Sequence, residues 1–419
     1  MDFYEAEIIR LQNRIKRIEE DPDPTKLKSN KIRYELELEE MKEKFEAWQQ
    51  GKPSVDGEFV LGPLARAMGF SHPGGSRDAM FRISDAQKYL DLARTRGLPV
   101  NSSCDMSSVP FAMGECGDTR KQDFCICDQH SCTPMWLSSV FMSHTHKRFT
   151  YYFDIGFEEN EANLRHVTDQ LDEFIDFAEK MFPGVIKFDE DRLIELQTYS
   201  EAAQGYAREM YEMLKHKPSP IAGKDAFQQG GGATSAKGLE YIQARRDEMA
   251  ERIEKRIAAV SGEKLRVIWT VTRPFFMDLF PILAKRKIAL LLHYSGPTSS
   301  WVPMPRPTYW GDRKLSPLEK VAAHAISSLW ARPGTAWVDN MIWICRDLKI
   351  DGIINYCMLG CTATLGLRKL IEDAAEKELG IPVLQLEGKQ WDNSYANEAT
   401  ITTKLDEFAQ MLLNQQGIA

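Results

Sequence analysis

The sequence predicts an α/β protein with two doubly wound parallel-sheet domains, a helical region and an N-terminal helical hairpin. Two patterns support this prediction. After Gly262, short apolar segments typical of buried strands alternate with segments of helical periodicity, which is characteristic of a parallel sheet covered by helices. Before it, apolar residues recur three to four positions apart over long stretches, which indicates amphipathic helices. The chain has 419 residues, more than one ordinary core needs, so several domains are expected.

We divide the chain into four parts by pattern. Residues 1–52 form the hairpin, 53–156 a first α/β domain, 157–262 the helical region, and 263–419 a second α/β domain of the Rossmann or flavodoxin-like type. The predicted strands are 124–127 and 149–153 in the first domain and 265–271, 288–292, 351–355 and 381–386 in the second. Between Cys104 and Cys132, glycine, proline and serine residues predict loops around the first of these strands.

Composition excludes several classes of function. The formal net charge of -8 does not fit a general nucleic-acid surface, which needs a basic excess to neutralise phosphates. The sequence contains no apolar window long enough for a membrane span, and its first residues do not resemble a signal peptide. We therefore expect a cytoplasmic protein with no membrane partner, whose cysteines stay reduced rather than forming disulfides.

Eight cysteines fall into two groups, and this grouping is the main functional signal in the sequence. The first group is Cys104, Cys116, Cys125, Cys127 and Cys132, and the second is Cys345, Cys357 and Cys361. Clustered thiolates are typical of zinc or iron–sulfur sites. Cys357 and Cys361 follow the predicted strand 351–355, and a doubly wound sheet binds ligands beyond the carboxyl ends of its strands.

Three chemistries remain open for these cysteines. The Cys-x-Cys and Cys-x3-Cys spacings fit a zinc ribbon poorly, because such sites use two closely spaced pairs. A nucleophilic cysteine would need a histidine base, for which His130, His144 and His146 are candidates. An iron–sulfur cluster bound by cysteines from two distant segments fits the pattern best. Buried thiols without a ligand role remain the alternative at most individual positions.

No motif for nucleotide hydrolysis accompanies the cysteines. The glycine run Gly230–Gly232 is not followed by the Lys-Ser/Thr pair of a phosphate-binding loop, and no predicted strand precedes it. A turn before a helix is the simpler interpretation. We therefore do not expect the chain itself to bind ATP.

Several segments resemble the family of (R)-2-hydroxyacyl-CoA dehydratases and ATP-dependent benzoyl-CoA reductases. They are LARAMGF, YLDLARTRGLPVNSSCDMSSVPFAMGE, HSCTPMW, DGIINYCMLGC, GIPVLQLEG and TKLDEFAQML, together with Asp392. The resemblance covers about residues 55–419, and the segments around Cys361 and Glu387 are its most specific part. It implies that three cysteines hold one [4Fe–4S] cluster. By motif these are Cys104, Cys132 and Cys361, with Cys127 and Cys357 as rivals.

The resemblance also implies an activity and partners. One electron added to the thioester of a 2-hydroxyacyl-CoA would expel the 2-hydroxyl group and acidify the β-hydrogen, giving an enoyl-CoA, and the electron is then returned. A separate ATP-hydrolysing iron–sulfur activator would supply that electron, and a homologous second subunit would complete a heterodimer. The alternatives are a subunit of a benzoyl-CoA ring reductase and, from another class, an electron-relay subunit without its own substrate site.

One departure from the family pattern concerns the substrate site. Pro63 lies where the family often has a glutamate in a PxE-type segment, which favours the relay alternative, and Glu58 is the nearby candidate to replace that glutamate. The candidates for binding the CoA phosphates are Arg306, Arg313 and Lys314, in a segment predicted to be a loop.

Overall fold

The computed structural model describes residues 3–21, 23, 26–56, 61–71, 83, 86–127, 132–227, 233–295, 302, 309–310 and 313–417. Four of the predicted features lie outside these residues: Glu58, His130, Arg306 and the glycine run Gly230–Gly232.

The chain begins with two helices that pack against each other, α1 (Phe3–Glu19) and α2 (Ser29–Gln49). Their shared core contains Tyr4, Leu11, Tyr34 and Met41. These residues lie on one side of each helix, as the apolar periodicity predicts. Helix α2 also packs on the later helix Ala236–Glu254, so the hairpin is attached to the body of the protein.

A small parallel sheet follows the hairpin. Its described strands pair in the order β1 (Val55–Asp56), β2 (Phe124–Cys127) and β3 (Phe149–Tyr152). The helices within this part are α3 (Gly62–Ala67), α4 (Gln87–Thr95), α5 (Asp105–Cys116) and α6 (Thr133–His146). All four residues of β2 are buried, which explains its continuous apolar sequence FCIC.

The middle of the chain is helical. Its elements are α7 (Glu161–Met181), α8 (Glu190–Met213), α9 (Lys224–Phe227) and α10 (Ala236–Glu254). Asn160, Asp189 and Ser235 cap three of these helices, each accepting a hydrogen bond from a backbone N–H in the first turn.

A larger parallel sheet forms the last third of the chain. Its described strands pair in the order β5-β4-β6-β7, and the strands are β4 (Leu265–Thr270), β5 (Ile288–Tyr294), β6 (Gly352–Met358) and β7 (Val383–Gly388). The helices are α11 (Phe280–Lys285), α12 (Pro317–Ser327), α13 (Gly334–Asp347), α14 (Thr362–Leu379) and α15 (Glu398–Gln415).

Helices cover both faces of this larger sheet. Side chains of α13 and α14, such as Met341 and Ile371, pack on one face, and side chains of α11 and α15, such as Leu283 and Leu405, pack on the other. The strand order reverses direction between β4 and β6, which makes the gap between their carboxyl ends the switch point where such sheets bind ligands. The predicted α/β class with doubly wound parallel sheets is confirmed.

The four-part division of the chain stays a prediction, and two helices cross its boundaries. Helix α8 places Leu193 and Leu196 in the core beneath the first sheet, and Met210 in the core of the second. Helix α12 comes from the last part of the sequence, but its Val321 and Ile326 pack in the core of the first. None of the described helices is both long and apolar enough to cross a membrane.

Two local expectations were wrong. The residues after Cys104 were predicted to form a loop, but they form helix α5, which accommodates Pro110 in its interior. Strand β6 was predicted to end at Asn355, but it continues to Met358 because Tyr356, Cys357 and Met358 pair with β7. Cys357 is therefore part of a strand, and Cys361 follows the strand's end.

Candidate functional site

The three cysteines predicted as ligands occupy equivalent local positions. Cys104 immediately precedes α5, Cys132 precedes α6 and Cys361 precedes α14, so each is the N-cap residue of a helix. Backbone N–H groups in a first helical turn lack partners within the helix, and the helix dipole favours negative charge there. A thiolate bound to a metal at such a position would be stabilised by these N–H groups.

A close backbone approach brings Cys104 and Cys361 together. Gly360 has a φ of +90°, and a Cβ atom at this position would lie 2.5 Å from the carbonyl oxygen of Ser103. The loop after β6 therefore packs directly on the backbone that leads into Cys104. Met358, the last residue of β6, places its sulfur 3.8 Å from the sulfur of Cys104.

The thiols also interact electrostatically. Burial raises the pKa of the Cys104 thiol well above its usual range, and the neighbouring thiols of Cys361 and Cys132 raise it further. Without a bound metal, Cys104 is therefore protonated at neutral pH. Iron or zinc would displace the proton and remove the repulsion between thiolates.

We expect the substitution Gly360→Ala to disrupt this arrangement. The added methyl group would meet the Ser103 carbonyl, and alanine disfavours a φ of +90°. The free energy of unfolding should fall by about 2–4 kcal/mol, measured by urea denaturation. Gly366→Ala in α14 is the matched control, because no atom lies within 4 Å of its added Cβ. A Gly360→Ala variant as stable as the Gly366→Ala variant would contradict the close approach.

A buried ion pair holds the Cys104 segment against the end of β7. Lys389 and Asp105 have fully buried side chains, and their Nζ and Oδ1 atoms lie 3.5 Å apart. The Lys389 ammonium donates hydrogen bonds of 2.6 Å to the carbonyl oxygens of Val100 and Ser103. Asp105 Oδ2 accepts hydrogen bonds from the backbone N–H groups after Gln390, at 3.0 and 3.3 Å. This pair fixes the start of α5 relative to the larger sheet.

Gln390 connects Cys104 to the switch point. This fully buried side chain accepts a hydrogen bond from the Cys104 thiol at 3.6 Å and donates one to the Thr272 hydroxyl at 3.2 Å. Thr272 follows β4, Cys361 follows β6 and Gln390 follows β7. The carboxyl ends of three strands therefore meet at Cys104. The roles of Lys389 and Gln390 were not predicted, because nothing in the sequence indicates that the segment after β7 contacts Cys104.

Cys357, a rival ligand, points to the other face of β6. Its thiol donates a hydrogen bond to Gln385 at 3.1 Å and accepts one from Asn355 at 3.4 Å. Burial raises the pKa of Cys357 to about 11, with Arg368 of α14 opposing the shift. Because side chains alternate along a strand, Cys357 faces α14 while Met358 faces Cys104. The structure does not bring Cys357 together with Cys104.

The remaining cysteines have separate surroundings. Cys127, the other rival, is the last residue of β2. Burial raises the pKa of Tyr152, and Cys127 raises it further. Cys125 donates a hydrogen bond to Ser139 at 3.8 Å. Cys345, a residue of α13, is buried in the core, and Cys116 is exposed.

Of the histidine candidates, His144 is exposed and His146 contacts side chains of α5. The ring of His146 stacks on Phe111 at 5.4 Å and lies 3.0 Å from Glu115. Burial lowers the pKa of His146 to about 4. His146 is therefore neutral near pH 7 and is part of the packing around α5.

Of the predicted phosphate-binding residues within the described structure, Arg313 is already neutralised. Its guanidinium forms ion pairs with Glu161 and Glu319, the latter at 2.6 Å. Lys314 is exposed. The structure brings neither residue near Cys104 through any contact it describes.

Among the described residues, no group of three or more His, Cys, Asp or Glu side chains surrounds one point as the ligands of a single metal ion would. A [4Fe–4S] cluster makes a different demand, because each cysteine binds its own iron atom. Cys104, Cys132 and Cys361 could each supply one such sulfur ligand. The donor set of soft sulfur atoms at three helix N-termini also fits it.

Parallel sheets covered by helices, with cysteines gathered beyond the carboxyl ends of strands, are typical of α/β proteins that bind ligands at a sheet switch point. A model of the family described as 2-hydroxyglutaryl-CoA dehydratase, D-component, matches residues 59–412, and the chain belongs to this family. This confirms the relationship predicted from the motifs.

The chain is also similar to a characterised enzyme subunit. It is 24% identical over 297 residues to the alpha subunit of (R)-2-hydroxyglutaryl-CoA dehydratase from Acidaminococcus fermentans. The matched region covers 68% of this chain and 59% of that relative. The chain therefore spans less than two thirds of the relative's length.

Proposed function

We propose that this chain is the cluster-bearing component of a dehydratase that converts a 2-hydroxyacyl-CoA to an enoyl-CoA. In this proposal Cys104, Cys132 and Cys361 hold a [4Fe–4S] cluster. The observation that carries it is the close approach of the Cys361 and Cys104 segments at Gly360, with all three cysteines at helix N-termini. Cys132 also acts electrostatically on Cys104. The family description and the name of the Acidaminococcus relative support the choice of reaction.

When bound, such a cluster supplies a low-potential redox centre with one iron free of protein ligands. The chain's own groups prepare its surroundings. The helix N-termini stabilise negative charge on the ligating sulfurs. Gln390 lies in contact with Cys104, and the buried positions of Cys104 and Cys361 limit the access of water.

The reaction chemistry explains why a redox centre suits a dehydration. The hydrogen that leaves is β to the thioester, where the carbonyl group does not acidify it. An electron added to the thioester carbonyl allows the 2-hydroxyl group to depart and the β-proton to be removed. Returning the electron leaves water and an enoyl-CoA, with no net oxidation or reduction.

The proposal includes two partners. The Acidaminococcus relative is named as a subunit, which supports a homologous second subunit for this chain. An ATP-hydrolysing activator would deliver the electron, and it is proposed on the family resemblance alone.

An assay of the assembled system tests the reaction. The chain, purified without oxygen, would be mixed with its partner subunit, an activator, ATP, a reductant and a 2-hydroxyacyl-CoA. Enoyl-CoA should form, and its formation should stop when the activator or ATP is left out. Reduction of benzoyl-CoA with no dehydration would contradict the dehydratase assignment and support the ring-reductase alternative.

A further inference from the structure

A group of basic side chains lies apart from the cysteines. Arg14 comes from α1, Lys224 from the start of α9 and Arg273 from the loop after β4. Among the described residues, none of the three forms an ion pair within 4 Å. By contrast, the neighbouring Arg33 is paired with Glu37 at 3.3 Å.

Aromatic rings hold two of these side chains in place. The guanidinium carbon of Arg14 lies 4.7 Å from the centre of the Tyr34 ring. That of Arg273 lies 4.4 Å from the Phe275 ring and 5.3 Å from the Phe280 ring. Phe280 also lies beside Gly223, the residue before Lys224. Arg273 and the residue before Lys224 thus both lie close to Phe280.

The charges of this group act on one another. Desolvation lowers the pKa of Lys224, and Arg14 and Arg273 lower it further, while Asp278 opposes the shift. Burial also lowers the pKa of Arg273. Positive charge is therefore only partly compensated here. Because Lys224 is exposed and Arg14 and Arg273 are only half-buried, an anion from solution can reach them.

We infer that Arg14, Lys224 and Arg273 bind the phosphate groups of a nucleotide-containing ligand. This assignment rests on the proposed function, under which the ligand is the phosphorylated ADP portion of the CoA thioester. Several phosphates match several cations on separate elements, and arginine and lysine form charge-assisted hydrogen bonds with phosphate oxygens.

The location fits a substrate whose thioester reaches the cysteines. Arg273 directly follows Thr272, whose hydroxyl contacts Gln390, which in turn contacts Cys104. The long pantetheine arm of CoA separates its phosphates from its thioester. Phosphates bound at Arg273 would therefore leave the thioester free to extend towards Cys104.

Binding measurements on the full chain test this inference. Calorimetric titration with CoA would compare the wild type with Lys224→Met, Arg273→Met and Arg313→Met. Loss of one charge-assisted contact should weaken CoA binding about tenfold in each of the first two variants. Arg313→Met should bind like the wild type, because Glu161 and Glu319 already neutralise Arg313. Lys224 is exposed, so its replacement should not impair folding.

The outcomes are distinct. Equal CoA affinity in the wild type and the Lys224→Met variant, or a loss of binding only in Arg313→Met, would overturn the inference. So would inorganic phosphate binding as tightly as CoA, which would indicate a general anion site. Iron content, measured on the same samples, separates this test from the proposed function. A chain without iron whose CoA binding depends on Lys224 would refute only the cluster.

Discussion

Replacing Cys361 with serine is expected to remove most of the iron from the protein. Serine offers a harder oxygen donor, and iron–sulfur clusters depend on thiolates. Wild-type protein purified without oxygen should contain about four iron atoms per chain, and the Cys361→Ser variant fewer than about one. Colorimetric iron and sulfide assays, with the visible absorption of the cluster, measure the difference.

Cys357→Ser is the matched control, because the same substitution is made four residues earlier. Cys357 faces α14 and bonds to Gln385 and Asn355, contacts that a serine hydroxyl can reproduce. This variant should keep its full iron content. Iron loss in Cys357→Ser with retention in Cys361→Ser would reverse the assignment and make Cys357 the ligand.

Iron content also distinguishes Cys132 from Cys127 as the third proposed ligand. Cys132 acts on the pKa of Cys104, whereas Cys127 acts on Tyr152 at the end of the first sheet. We therefore expect Cys132→Ser to lose iron and Cys127→Ser to retain it.

Lys389→Met is expected to cause the largest loss of stability among single substitutions at this site. It leaves the Asp105 carboxylate buried beside only backbone donors, and it removes the donor to two backbone carbonyls. Breaking a buried pair in this way costs about 3–5 kcal/mol in the free energy of unfolding. Urea denaturation followed by circular dichroism measures this loss.

A surface pair provides the comparison for Lys389. Arg368 pairs with Glu387 near the end of β7, the strand that Lys389 follows, and both side chains are about half exposed. Arg368→Met should cost at most about 1 kcal/mol. The double variant Lys389→Met with Asp105→Asn should recover part of the lost stability, since the uncompensated charge is gone. A Lys389→Met protein as stable as Arg368→Met would contradict a structural role for the buried pair.

The sequence predicted most of the fold because its signals are local. The continuous apolar segment Ile288–Leu292 and the periodic apolar positions of α7 each identify an element without information from elsewhere in the chain. Helix α5 escaped prediction because Pro110 normally interrupts a helix and its polar residues are buried by tertiary contacts. In that segment packing overrides local propensity.

The proposed ligands of the candidate site could be named from the sequence, but the contacts that support them could not. Cys104, Cys132 and Cys361 could be named because they lie in recognisable motifs. The contacts of Lys389 with Ser103 and of Gln390 with Cys104 join residues 286 positions apart. No pattern in a single sequence reports such distant pairs, so they became visible only in the folded chain.

The basic side chains proposed to bind phosphate show the same limit of prediction from a single sequence. Arg306, Arg313 and Lys314 were chosen because they are close together in sequence. The residues that gather in space are Arg14, Lys224 and Arg273, which come from three separate parts of the chain.

The iron, acid-labile sulfide and zinc content of wild-type protein purified without oxygen tests the central claim most directly. The account predicts about four irons and a matching amount of sulfide per chain, with little zinc. About eight irons would mean that other cysteines bind a second or larger cluster. Zinc without sulfide would contradict the proposed cluster at Cys104, Cys132 and Cys361 and with it the proposed radical chemistry.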